Sequence, residues 1–326
     1  MQEKPFLTFN SQMKYLRDKK KIECAGSENK TYLVKYGYFN LINAYKFPFI
    51  QGIDEYKNHI YIGGTSIENF VSLKVFDDKL RILLLQILTR LEEEIRNLVS
   101  YKLDQVNQKS LEWYDVQSYN PKKDTQDIIR IISKCFSTID KMDNDYVLHY
   151  TDKYGKVPTW IFTKVINFSD LIDVISISKT EVIDSLCTLY NIKDTRGLNK
   201  HSLLISSLHL IRSIRNACAH NERIVFFKKP NNRTNLPFES FLTSPNRYKK
   251  SRDIVFMDLL VSLKYYLETK EYEDFINQIV SMLKILESQI NINSFDIIRG
   301  NLGIKKLADL DYLKNNNQKK IYYNRF

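Results

Sequence analysis

Residues 201–225, HSLLISSLHLIRSIRNACAHNERIV, decide how this chain is read. Advancing about 100° per residue along an ideal helix, Leu204, Leu208, Ile211, Ile214 and Cys218 gather on one arc, the face of an amphipathic helix that needs a core behind it. His209, Arg212, Ser213, Asn216, His220 and Arg223 share a polar stripe outside that arc. Solvated helix faces more often carry Glu and Lys, whereas Arg, Asn and His grip phosphate oxygens and exchange protons near neutral pH. The same segment holds Arg215-Asn216-x-x-x-His220, an R-x4-H arrangement with a polar residue directly after the arginine. On an ideal helix Arg215 and His220 stand about 140° apart. One copy therefore presents both poorly to a single phosphate, and two copies facing each other do so well. A second Arg-to-His spacing, Arg196 to His201, has Gly197 after its arginine in the turn-prone KDTRGLNK and is set aside.

Helical periodicity extends outward from this segment. Leu84, Leu88, Leu91, Ile95 and Leu98 recur at steps of three and four, predicting a helix over roughly 80–103 with Asp77 or Asp78 capping its start. Ile128, Ile131, Ile132, Cys135 and Ile139 mark another helix. Pro158 opens a third, with Trp160, Phe162, Val165 and Ile166 as its apolar positions, because proline is tolerated in a first helical turn. Further helices are expected at 180–190 and 202–225, and again through Val255–Leu267 and Phe275–Ile290. Only 9 Gly and 7 Pro occur in 326 residues, too few turn residues for a sandwich or barrel. The expected fold class is all-α.

Composition bounds the function. With 43% hydrophobic and 27% charged residues the chain can bury a core. No apolar run approaches the roughly 18 residues that span a bilayer, Ile82–Leu85 being closed by Gln86, and the N-terminal segment lacks the apolar stretch of a secretory signal. A cytoplasmic protein with no membrane partner is expected. Cys24, Cys135, Cys187 and Cys218 are scattered, with no C-x-x-C pair, and read as buried thiols rather than zinc ligands. No metal site and no cofactor is expected.

The net charge of +11 invites a nucleic-acid reading. Abundant Lys, Asn, Ile and Tyr are also what an A/T-rich coding sequence imposes, so distribution decides, and the excess is localised. Between Lys228 and Arg252, seven cationic residues (Lys228, Lys229, Arg233, Arg247, Lys249, Lys250 and Arg252) face Glu239 alone, among Pro230, Pro237 and Pro245. The stretch reads as a basic loop, and its residues Lys228, Lys229, Arg233, Arg247, Lys249 and Lys250, with Arg212 and Arg223 of the polar stripe, are the candidate nucleic-acid contacts. The expected organisation is an N-terminal helical region (1–75), a helical core with the R-x4-H motif (76–227), the basic loop (228–253), and C-terminal helices with a basic tail (254–326).

Segment RNACAHNERIV resembles the motif of HEPN-type ribonucleases. Four further blocks, in order, resemble the Abi-like family of phage-defence proteins in its Abi-D/Abi-F branch: KPFLTFNSQMKYLRDKK (4–20), YGYFNLINAYKFPF (36–49), FDDKLRILLLQILTRLEEEIRN (76–97) and VPTWIFTKVINFSDL (157–171). The resemblance covers roughly residues 4–225. It implies a HEPN-type helical bundle, here with added N- and C-terminal helices, acting as a metal-independent endoribonuclease whose motif helices meet across a two-fold axis. The motif residues it assigns as catalytic are Arg215, Asn216 and His220. Lys164, where relatives commonly carry an acid, and Phe168-Ser169, where they commonly carry Phe-Gly, depart from the pattern. Arg96-Asn97-x-x-x-Tyr101 echoes the motif with tyrosine for histidine.

The expected activity is therefore an abortive-infection toxin that cuts RNA through attack of its own 2′-oxygen. Expected partners are the RNA substrate, a second copy of the chain, and a structured non-coding RNA as antitoxin. The alternative is a catalytically silent HEPN module that binds RNA or protein.

Overall fold

The computed structural model describes residues 6–107, 111–140, 145–194, 199–228 and 253–315. In chain order these form α1 (Phe9–Lys20), α2 (Gly26–Tyr36), β1 (Ile50–Ile53), β2 (His59–Tyr61), α3 (Ile67–Asn107), α4 (Thr125–Asp140), α5 (Asp145–Tyr154), α6 (Thr159–Val165), α7 (Phe168–Ile177), α8 (Thr180–Leu189), α9 (Lys200–Ala219), α10 (Phe256–Tyr266), α11 (Thr269–Gln289), α12 (Ile292–Asn301) and α13 (Ala308–Asn315). Helix dominates, as Gly and Pro scarcity predicts. The one named sheet among the described residues is an antiparallel hairpin pairing Ile50 with Tyr61 and Ile53 with His59. Its turn is built by Asp54, whose Oδ1 accepts the Asn58 backbone N–H at 2.7 Å. Among the described residues, helix starts are capped by polar side chains that take an otherwise orphaned N–H at Thr8, Asp124, Asn167, Asn199 and Asn291.

Contacts group the described residues into two compact units. The first draws on 1–83, Asn221–Phe227 and Asp274–Tyr312; the second on Leu84–His220, Lys228–Glu273 and the residues after Tyr312. Helix α3 contributes to both.

In the first unit α1 packs on α2, and α12 lies against Phe47–Phe49, where the Ser294 hydroxyl donates to the Pro48 carbonyl at 2.9 Å. Its polar centre is Asp77. Asp77 does not cap α3, because α3 begins ten residues earlier, at Ile67, and the carboxylate therefore sits inside the helix. Fully buried, at 0% exposure, it accepts from the Tyr45 hydroxyl at 2.8 Å and from the backbone N–H groups of Ile224 and Val225 at 3.0 and 2.9 Å, and it pairs with Arg81. Burial pushes the Asp77 carboxyl up, while Arg81 and the three donors pull it the other way.

In the second unit α9 packs against α7, α8 and α10, with Leu204, Leu208, Ile211, Ile214 and Cys218 buried as the periodicity predicts. Each fully buried Leu or Ile contributes about 1.5–3 kcal/mol. The stripe of α3 is buried at Leu84, Leu88, Leu91 and Ile95, but Val99 takes the next core position and Leu98 is half-buried. All five expected positions of α4 are buried. On α6, Ile161, Phe162 and Val165 face inward, whereas Trp160, one of the apolar positions read from the sequence, is exposed. The buried tryptophan is Trp113, stacked on Phe162 at 4.0 Å and 4° and donating its indole N–H to the Val157 carbonyl. The four cysteines form no disulfide and are buried, and burial pushes the Cys135 and Cys187 thiols up to about 12. No described helix is long and apolar enough to cross a membrane.

Candidate active site

The motif occupies the last turn of α9. Arg215 and Asn216 are half-buried helical residues, and His220 is exposed at the C-cap with φ −93° and ψ 12°. The helix stops there rather than at 225 because Asn221 adopts the left-handed region at φ 58°, a conformation asparagine accepts more readily than most residues. The His220 backbone N–H still donates to the Asn216 carbonyl at 2.9 Å, which keeps the two residues one turn apart.

Arg215 is held on two sides. Its Nε lies 3.1 Å from Glu92 Oε2, an ion pair outside hydrogen-bond geometry, and its Nη1 donates to Asn216 Oδ1 at 3.1 Å. The carboxamide oxygen of Asn216 is thus engaged by the arginine, leaving its N–H donors as what it offers a phosphate oxygen. Glu92, on α3 and 6% exposed, also takes Arg96, whose Nε lies 3.1 Å from Oε1. One buried carboxylate therefore neutralises two guanidinium groups. Arg96 in turn donates to the Thr163 and Ile166 carbonyls at the end of α6, where the final carbonyls lack helical partners. The Arg96-Asn97-x-x-x-Tyr101 echo places its arginine in this brace, while Asn97 and Tyr101 are exposed.

The other candidate contacts separate. Arg212 donates to the Ser169 hydroxyl of α7 at 2.6 Å, while its buried Nε has no hydrogen-bond partner among the described residues. Arg223 follows the end of α9, so it is not on the helical stripe. In the first unit it donates to the Ala44 carbonyl, and its guanidinium lies 5.5 Å from the Phe226 ring centroid. Lys228 is exposed. Lys229, Arg233, Arg247, Lys249 and Lys250, with the rest of the basic loop, lie outside the described residues.

Glu92 is the residue the sequence reading passed over. Its signal was present: four residues after Leu88 and three before Ile95, it stands on the core stripe of α3, where an acidic side chain requires a partner.

The family model described as Abi-like protein matches residues 31–225, a range that contains α3 and the whole motif. No curated protein and no solved structure matches the chain.

Proposed function

We propose, from the premise that this chain belongs to the Abi-like family, that it is a metal-independent HEPN endoribonuclease acting as an abortive-infection toxin. Family membership suggests an abortive-infection protein; the cleavage chemistry is read from the residues. The observation that carries it is an intact Arg215, Asn216 and His220 at the solvent-facing end of α9, with the arginine ion-paired to the buried Glu92.

RNA carries its own nucleophile. When the 2′-hydroxyl loses its proton, its oxygen attacks the adjacent phosphorus, the bond from phosphorus to the 5′-oxygen breaks, and that oxygen takes up a proton. His220 is suited to one of the two proton transfers, and Arg215 to the charge that builds on the phosphoryl oxygens. A second copy, facing the first, supplies the complementary transfer. A structured non-coding RNA is the controlling partner in this reading.

Products should carry a 2′,3′-cyclic phosphate and a 5′-hydroxyl. Ligation and kinase assays on cleaved RNA check this, and 5′-phosphate ends would reject the chemistry. Glu92→Gln, which removes the charge that orients Arg215, is expected to lower kcat roughly 10- to 100-fold with KM nearly unchanged, because misplacing a group that acts on the transition state costs turnover rather than binding. A reduced Tm with unaltered kcat would make Glu92 a structural residue alone.

A further inference from the structure

Helix α5 is ten residues long, and Val147 is its one buried side chain. Tyr146, Leu148 and Tyr154 are exposed, as is Trp160 of α6, at 53%. Large exposed apolar groups scattered singly are ordinary, but grouped ones mark a face with an occupant, and these rings are grouped. Tyr150 lies 5.6 Å from Tyr154 with 26° between the planes, and it meets Trp160 edge-on at 6.2 Å. Cations are set among them: Lys153 Nζ lies 5.3 Å from the Tyr154 ring centroid, and Lys164 Nζ lies 4.8 Å from that of Tyr146. With Asp145 at zero and about 100° per residue, the tyrosines and Lys153 fall between roughly 80° and 180° on α5. Asp145 and Asp152 lie off that arc, near about 0° and about 340°.

Charge and ring chemistry together select the occupant. Lysine is depleted from the cores of protein–protein interfaces. Rings interleaved with cations instead suit nucleic acid, whose bases stack on aromatic faces while its phosphates meet the ammonium groups. Bases inside a duplex are already stacked, so such a face takes a single strand. Its placement is equally informative. Helix α6, which carries Trp160 and Lys164 one turn apart, ends on carbonyls held by Arg96, and Arg96 shares Glu92 with the motif arginine. The aromatic face is braced against the same carboxylate that orients Arg215.

We propose that the α5–α6 face is a stacking platform for single-stranded RNA, with Trp160 and Tyr154 taking bases and Lys153 and Lys164 taking phosphates. The choice of RNA over other single strands rests on the ribonuclease reading above. The test uses full-length protein carrying His220→Ala, which binds without cutting, and a short single-stranded oligoadenylate RNA as probe. Binding should quench the fluorescence of Trp160, since Trp113 is buried. Adding Trp160→Ala should remove the quench and weaken binding on the order of tenfold, and Tyr154→Ala should weaken it similarly. Lys164→Gln should lower the salt dependence of log affinity by about 0.7.

Unchanged affinity in these variants, or equal affinity for blunt duplex RNA, would overturn the platform. So would a loss of dimer in light scattering with RNA affinity intact, which would make the face a contact between copies. Binding is read in a background that does not cut, so a platform confirmed beside an inactive wild-type enzyme would stand while the ribonuclease reading fell. Wild-type KM in platform variants that still cleave would do the reverse.

Discussion

His220→Ala is expected to lower RNA cleavage by about 10²–10⁴-fold, the usual contribution of a positioned acid or base, and to abolish growth arrest on expression. The residue is exposed at a helix end and lies outside the core, so the same substitution should move stability by no more than about 0.5 kcal/mol. That separation makes the result decisive, because lost activity with an unchanged Tm assigns His220 to chemistry. Arg215→Ala should match it in direction, with a small stability cost because Glu92 then keeps Arg96 alone. Growth arrest that persists in both variants would favour toxicity through binding, the silent-module alternative.

Asp77→Ala is expected to destabilise the first unit by about 3–5 kcal/mol, the cost of breaking a buried ion pair from one side. Arg81, with a side chain 7% exposed, would be left with Asp78 as its remaining carboxylate, and the Tyr45 hydroxyl and the Ile224 and Val225 N–H groups would lose their acceptor. Urea titration of the full chain measures the loss. Asp77→Ala combined with Arg81→Leu should recover part of it, because the buried guanidinium left with Asp78 alone is gone while the orphaned N–H groups remain. An effect below about 1 kcal/mol would show that water replaces the carboxylate, contrary to its burial.

The candidate site was legible where its residues are neighbours along the chain. Arg215, Asn216 and His220 stand within one turn and a half of helix, so spacing alone brought them to notice, and the structure places them together at the end of α9. Arg223 was assigned to the same stripe by extending ideal geometry beyond Asn221, a residue whose left-handed backbone redirects the chain. Trp160 counted among the apolar positions of α6 yet is exposed, while Trp113, from outside the helix, stacks on Phe162.

By itself the sequence determined what depends on neighbours along the chain. Scarce Gly and Pro, and apolar steps of three and four, fix helical backbone and say which side of each helix turns inward, since both follow from a repeat of 3.6 residues. It also carried the family and the order of its motif. Tertiary structure alone decided which partner meets each buried polar group: Asp77 receives N–H groups 147 and 148 positions away, and Glu92 joins Arg96, four residues along its own helix, to Arg215 on another. Periodicity tells a carboxylate that it faces the interior. The identity of the cation or N–H group waiting there is set by how distant helices pack, and no local repeat encodes it.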